Sequence, residues 1–314
     1  MSTKIIATAA WVLSLSLGSL PMAMGQPNLA NAEIHVLPVQ GNIYMFSGPG
    51  GNVTVQVGKQ GVLIVDTMFA PVAPKLMAEI RKLSNGPVRY ILNTHVHPDH
   101  VGGNEALAKL IPRDPTEPLN IIAHTNVLNR MTKPVTGSET PAPQEGLPLD
   151  EYDQPFKDFH FDGEAIIVYH EPNAHTDGDS VILFRGSDVV VTGDIFTPEG
   201  YPFIDLERGG SVNGEIAALN HILDLTVPAD KQEGGTLVIP GHGRLCEEAD
   251  VVEYRDMITI VRDRIQDLMK KGNTLGQIKE ARPTRDYDPQ YISKDSFVKT
   301  DQFVEAVYRS LGGK

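Results

Sequence analysis

Asn93-Thr94-His95-Val96-His97-Pro98-Asp99-His100 constrains this chain more than any other stretch. It puts three imidazoles and a carboxylate within His95 to His100, directly after the apolar run Val88 to Leu92, which reads as a buried strand. Pro98 is expected to bar a helix through the middle and to push His97 towards an extended conformation. The segment is therefore expected to be a strand-end loop whose alternate side chains converge. A lone loop histidine is more often a surface or hydrogen-bonded group, but this density is different. Charged together these groups repel, and buried without partners each costs on the order of several kcal/mol. A cation removes both problems, and neutral imidazole and carboxylate are ligands that zinc, iron and manganese accept.

Composition sets the frame for that site. The 314 residues, 41% hydrophobic, suit one large globular domain or slightly more. A net charge of −13 argues against nucleic acids and anionic membrane surfaces as partners. Residues 1–25 read as a secretory signal: Lys4, an apolar run from Ile5 to Leu20, and Ala23-Met24-Gly25 as the cleavage site, with Ala30-Asn31-Ala32 as a second candidate. The apolar run is shorter than the ~20 residues a membrane span needs and ends at Pro21, so a periplasmic or secreted protein without stable membrane insertion is expected. Cys246, the single cysteine, rules out an internal disulfide and reads as a spectator thiol.

In order, strands are expected at Ile34 to Val36, Ile43 to Phe46, Val53 to Val57 and Val62 to Val65, with Gly58 to Gly61 as a hairpin turn and Asp66 closing the fourth strand. Helical spacing covers Pro71 to Leu83 and Asn104 to Leu110, and a brief helix follows the short strand Ile121 to Ala123. Thr132 to Pro148 has no periodicity and reads either as a mobile loop beside a substrate cleft or as a disordered insertion. A second strand set follows at Phe159 to Phe161, Ala165 to His170, Val181 to Arg185 and Val189 to Thr192, with Leu237 to Ile239 after a helix from Asn213 to Leu225. Helices are expected at Glu247 to Lys271, Thr274 to Glu280 and Ser296 to Leu311. Strands then helix, twice over, predict an α/β protein, an αββα sandwich of two mixed sheets flanked by helices, over 33–246, with 247–314 as a helical extension packed on it.

The later strand ends repeat the polar pattern. Ala165 to His170 leads into Glu171 to Asp179, which holds His175 among other polar residues, Val189 to Thr192 into Gly193-Asp194, and Leu237 to Ile239 into Pro240-Gly241-His242-Gly243. One such junction is weak evidence, since turns favour these residues anyway, but three after the first cluster are strong. Together His95-x-His97-x-Asp99-His100, His175, Asp194 and His242 resemble the metallo-β-lactamase superfamily over about Glu33 to Cys246. The resemblance implies a first metal on His95, His97 and His175, a second on Asp99, His100 and His242, and Asp194 bridging them. It implies that Asp66 supports the ligand loop from behind. Asp194 at the bridging position resembles hydroxyacylglutathione hydrolases and other dinuclear thioesterases, lactonases and phosphodiesterases. The cysteine-ligand β-lactamases carry Cys there and usually no His in the fourth cluster position, and the His-rich subclass lacks an equivalent of Asp194. An export signal and the long segment Gly193 to Asn213 resemble exported β-lactamase-like hydrolases.

What the resemblance implies is a hydrolase with two zinc ions per chain, iron or manganese being the other candidates. A shared water, its pKa lowered from ~15.7 to about 7, is expected to attack the carbonyl of a β-lactam, lactone, ester or thioester. Asp99 and Asp194 are the catalytic candidates, with Asp194 orienting the water. The expected partner is a small-molecule substrate, and the oligomeric state is left open. Arg208 and Asn213 either hold a substrate carboxylate or are an exposed arginine and a helix cap. Tyr201 and Phe203 form an apolar wall or anchor their loop. His35, His124, His160, His170 and His221 fall outside the pattern. Two rivals use the same ligands: an iron enzyme like the persulfide dioxygenases, and a non-catalytic periplasmic metal-binding accessory protein.

Overall fold

A computed structural model describes residues 33–133 and 140–314, with Leu29; the segment read as a signal lies outside the described residues. Four strands, β1 (His35–Pro38), β2 (Ile43–Ser47), β3 (Val53–Val57) and β4 (Val62–Val65), form an antiparallel meander. The β3–β4 turn requires glycine at Gly61, where φ is +134° and a Cβ would lie 2.3 Å from the Pro87 carbonyl oxygen. Beyond β4 the chain changes topology. After helix α1 (Ala73–Leu83) comes β5 (Val88–Leu92); after α2 (Pro98–Val101) and α3 (Asn104–Leu110) comes β6 (Asn120–His124); after α4 (Thr125–Thr132) comes β7 (Asp150–Tyr152). Strands β4 to β7 run parallel, so this seven-stranded sheet is mixed.

The second sheet starts with the antiparallel set β8 (Phe156–Phe161), β9 (Glu164–Glu171), β10 (Asp179–Phe184) and β11 (Val189–Val191). Helix α5 (Val212–Leu225) crosses to β12 (Leu237–Ile239), parallel to β11, and β13 (Cys246–Glu247) closes the edge antiparallel. The central strands are apolar on both faces because both faces are covered. Leu63 and Val65 meet Ile182 and Val191 between the sheets, while Ile64, from the other face of β4, packs under Leu76 and Ile80 of α1. Val190 likewise turns out towards Leu219 of α5. This is the expected αββα sandwich.

The C-terminal helices α6 (Glu248–Lys270), α7 (Leu275–Glu280), α8 (Asp288–Tyr291) and α9 (Thr300–Ser310) share one core with α5 and the outer face of the second sheet. The buried stripe Val251, Tyr254, Ile258, Val261 and Ile265 on α6 meets Phe303, Val304 and Val307 of α9 there. Two local expectations are corrected. Pro98 does keep His97 extended, but the segment is not all loop: a helical turn starts at Pro98 itself, because proline at the first helical position gives up an N–H that has no intrahelical partner anyway. The last helix begins at Thr300, not Ser296. Strand β7 and helix α8 are too short to carry a period and went unanticipated.

Candidate metal centre

All the predicted ligands leave C-terminal strand ends at one edge of the sandwich: His95, His97, Asp99 and His100 after β5, His175 after β9, Asp194 after β11 and His242 after β12. The side chains form two groups. In the first, His97 Nδ1 lies 3.1 Å from His95 Nε2 and 2.9 Å from His175 Nε2, with Asp194 Oδ2 3.9 Å from the latter two nitrogens. In the second, His242 Nε2 lies 3.3 Å from Asp99 Oδ2 and 3.4 Å from Asp194 Oδ1, and His100 Nε2 lies 3.2 Å from the same Asp194 oxygen. Asp194 thus turns one carboxylate oxygen to each group. Each group could hold a cation.

The outer ring nitrogens show which atoms are turned inward as lone pairs. His97 Nε2 meets the Asp205 carboxylate at 2.9 Å, and His175 Nδ1 meets the Phe203 backbone carbonyl. Both acceptors lack protons, so both imidazoles donate outward and are bare inward. His95 Nδ1 contacts Thr94 Oγ1 at 3.0 Å; that hydroxyl gives its own proton to Asp66 Oδ2 at 2.6 Å, so it accepts from His95. Three lone pairs therefore face one another with no proton to share. His100 Nδ1 donates to Asp66 at 2.7 Å, leaving Nε2 to face Asp194. Asp66 also takes the Thr94 N–H at 2.8 Å, and it holds this position with a left-handed φ of +62°.

His100 Nε2 and Asp194 Oδ1 are sealed from solvent, and neither makes a hydrogen bond. Buried polar atoms are ordinarily satisfied, and a cation held between His100 and Asp194 would satisfy this pair. The charges agree. Burial alone would hold His100 and His242 neutral, but Asp194 and its neighbouring carboxylates outweigh it, raising His100 well above its usual value and His242 to about 10. Burial is likewise overcome at Asp99, which the His100 and His242 charges pull down to about 2. The carboxylates thus favour a positive charge between these rings, which a metal ion would supply in place of protons. In the first group burial, reinforced by His97, lowers His175 to about 4, keeping it a neutral ligand. Asp179 closes the loop carrying His175 by accepting the Thr176 N–H and hydroxyl at 2.7 and 2.6 Å.

The sequence profile described as the Metallo-beta-lactamase superfamily matches residues 47–242, more than half of the chain. The chain belongs to the metallo-β-lactamase superfamily. A linear primary-alkylsulfatase of Pseudomonas sp. (strain ATCC 19151) is 44% identical over 48 residues, 15% of this chain and 9% of that protein. Among solved structures, the stereoselective inverting sec-alkylsulfatase of Pseudomonas sp. superposes with a TM-score of 0.64 at 16% identity, covering 88% of this chain and 50% of that one. A metallo-β-lactamase from Pontibacter korlensis superposes with a TM-score of 0.57 at 14% identity, covering 72% and 99%. This chain therefore spans about half of the alkylsulfatase structure. That superposition must include part of 247–314, since the residues before them are too few to supply its coverage.

Within this superfamily domain the remaining candidates separate. Arg208 Nη1 donates to Asp205 Oδ2 at 2.8 Å, so it stands one residue behind His97. It also lines a cavity of about 260 Å³ with Val96, Pro98, Met131, Ala142 and Pro143, which brings the segment after residue 140 alongside the ligand loop; 134–139 lie outside the described residues. Asn213 is corrected on two counts. It is exposed in α5 and takes a hydrogen bond from Arg262 of α6, away from the imidazoles, and the helix is capped by Ser211, whose hydroxyl accepts from the Gly214 N–H. A larger cleft of about 720 Å³ beside Lys59, Arg89 and Asn120 lies at the opposite, N-terminal strand ends, far from the ligands. Sequence reasoning missed Asp205 and the Phe203 carbonyl. Both lie in an irregular segment, and only an acidic residue shortly after Asp194 hinted at either.

Proposed function

We propose that this protein is a hydrolase with two zinc ions per chain, bound by His95, His97 and His175 and by Asp99, His100 and His242, with Asp194 between them. The observation that carries this reading is the outward commitment of the His95, His97, His175 and His100 rings, which leaves their inner nitrogens around one carboxylate. Such a cation pair supplies Lewis acidity, making a water a nucleophile near neutral pH and polarising the bond attacked. The protein's own work is orientation. Asp66 and Asp205 fix ring tautomers, Asp194 sets the spacing of the two groups, and Asp99 lines the second. No side-chain nucleophile is called for: Cys246, the single thiol, is buried, pushed up to about 12 by that burial, and donates to the Arg244 carbonyl.

The substrate read from the ligand pattern is a carbonyl compound: a β-lactam, lactone, ester or thioester. The alkylsulfatase likenesses favour a second reading, a sulfate ester, with the same site handling a different electrophile. Residues 1–25, read as an export signal, put the enzyme in the periplasm or outside the cell. The test is metal content by mass spectrometry, paired with hydrolysis of nitrocefin, a thioester, a lactone and a primary alkyl sulfate. Two zinc ions with turnover of one class support the reading and name the substrate. Asp194→Ala should then lose metal and rate together. One iron per chain and no hydrolysis would overturn it in favour of an oxygenase.

A further inference from the structure

The segment from Tyr201 to Asp205 ties the C-terminal helices to the metal cluster, and alternate side chains do different jobs. Tyr201 turns into the C-terminal core, where its hydroxyl donates to Asp288 at 2.9 Å and its ring stacks on Phe303 at 4.7 Å. Asp205 turns to His97. Phe203 lies between them with its carbonyl on His175, yet its ring stands outside, 5.8 Å from the His97 ring and 5.9 Å from that of His175, and 41% exposed. Phe297, from the stretch between α8 and α9, meets it edge-on at 5.5 Å and is 61% exposed. Single exposed apolar residues are ordinary, but two phenyl rings in contact and left wet, one lying on two ligand imidazoles, form an apolar surface at the mouth of the site.

We propose that Phe203 and Phe297 form an apolar subsite for the hydrocarbon or aryl group of a substrate whose polar, reacting end lies at the metal cluster. The C-terminal helices then select substrate as well as stabilise the second sheet, and the preferred substrates are amphiphilic. The proposal rests on the cluster being the site of chemistry. Its occupant follows from position: a group held on Phe203 is continuous with whatever sits between His97 and His175, and Phe297 lengthens that surface outward.

The experiment is calorimetric titration of the metal-loaded protein with n-alkanesulfonates from butane- to decanesulfonate, which are not hydrolysed. Affinity should tighten about two- to four-fold per added methylene in the parent protein. Phe297→Ser should flatten that dependence with metal content unchanged, and Phe203→Ser should flatten it too. Phe156→Ser, an exposed aromatic on β8, should keep it. The proposal fails if chain length has no effect on the parent, if both site variants keep the full dependence, or if Phe156→Ser loses it. It also fails if sedimentation shows a dimer that Phe297→Ser dissociates. Chain-length dependence without turnover of any substrate would overturn the hydrolase and leave the subsite standing; turnover without chain-length dependence would do the reverse.

Discussion

His97 and Asp205 are 108 residues apart in sequence, and the Nε2 of one meets the carboxylate of the other at 2.9 Å. That contact decides which nitrogen of His97 faces the cluster. The carboxylate is held charged: burial opposes it, but hydrogen bonds from His97 and Arg208 hold Asp205 well below the usual range. Partners of this kind typically contribute about 10- to 100-fold to metal affinity. Asp205→Ala should weaken zinc binding by about that factor in competition with a chromophoric chelator, and Asp205→Asn, which keeps an acceptor, should lose less. Wild-type affinity in Asp205→Ala would mean that the ring needs no external clamp.

Gly241 is where backbone crowds the bridging carboxylate. A Cβ there would lie 1.9 Å from Asp194 Oδ1 and 2.7 Å from the Gly193 carbonyl carbon. Part of that obstacle is backbone, so it cannot rotate aside. Gly241→Ala should displace Asp194, reduce bound metal and lower the melting temperature, with overpacking costing about 1–3 kcal/mol. Gly200→Ala, whose Cβ would meet nothing within 4 Å, is the control and should change neither. Full metal content in Gly241→Ala would contradict the close approach.

The ring of His124 stacks on that of His170 at 3.5 Å and 8°, and its Nδ1 accepts the Asn126 N–H at the start of α4. Burial, aided by His170, lowers it to about 4. A histidine with a depressed folded-state pKa stabilises the fold above its unfolded value of about 6.5, and that contribution is lost as pH falls through about 4. Between those limits the unfolded chain binds the extra proton. In melts of metal-free protein, His124→Asn, which retains a capping acceptor, should lose less stability than the parent from pH 6.5 to 4. Identical pH profiles would show that His124 takes up its proton as easily folded as unfolded.

Much of the site was legible because each ligand follows an apolar strand by a few residues, and strand ends are local features. Short unbroken apolar runs such as Val62 to Val65 and Val189 to Val191 placed those ends, and the αββα layering followed from their order. Asn213 misled for a related reason: a helix-start asparagine looks available from sequence, and only its approach to Arg262 shows it turned towards α6. Pro98 misled because the same ring that breaks a helix interior suits its first turn.

By itself, then, the sequence pointed to the sandwich and to polar segments at its strand ends, because apolar runs and strand-end chemistry act over a handful of residues, and the resemblance to the superfamily singled out seven side chains among them. The tertiary structure decided what holds and surrounds them: the Asp205 clamp on His97, the Phe203 carbonyl on His175, and Phe297 arriving from the C-terminal helices. These contacts join irregular segments far apart in the chain. No local period encodes them, and they exist only once the second sheet has packed against α5, α6 and α9.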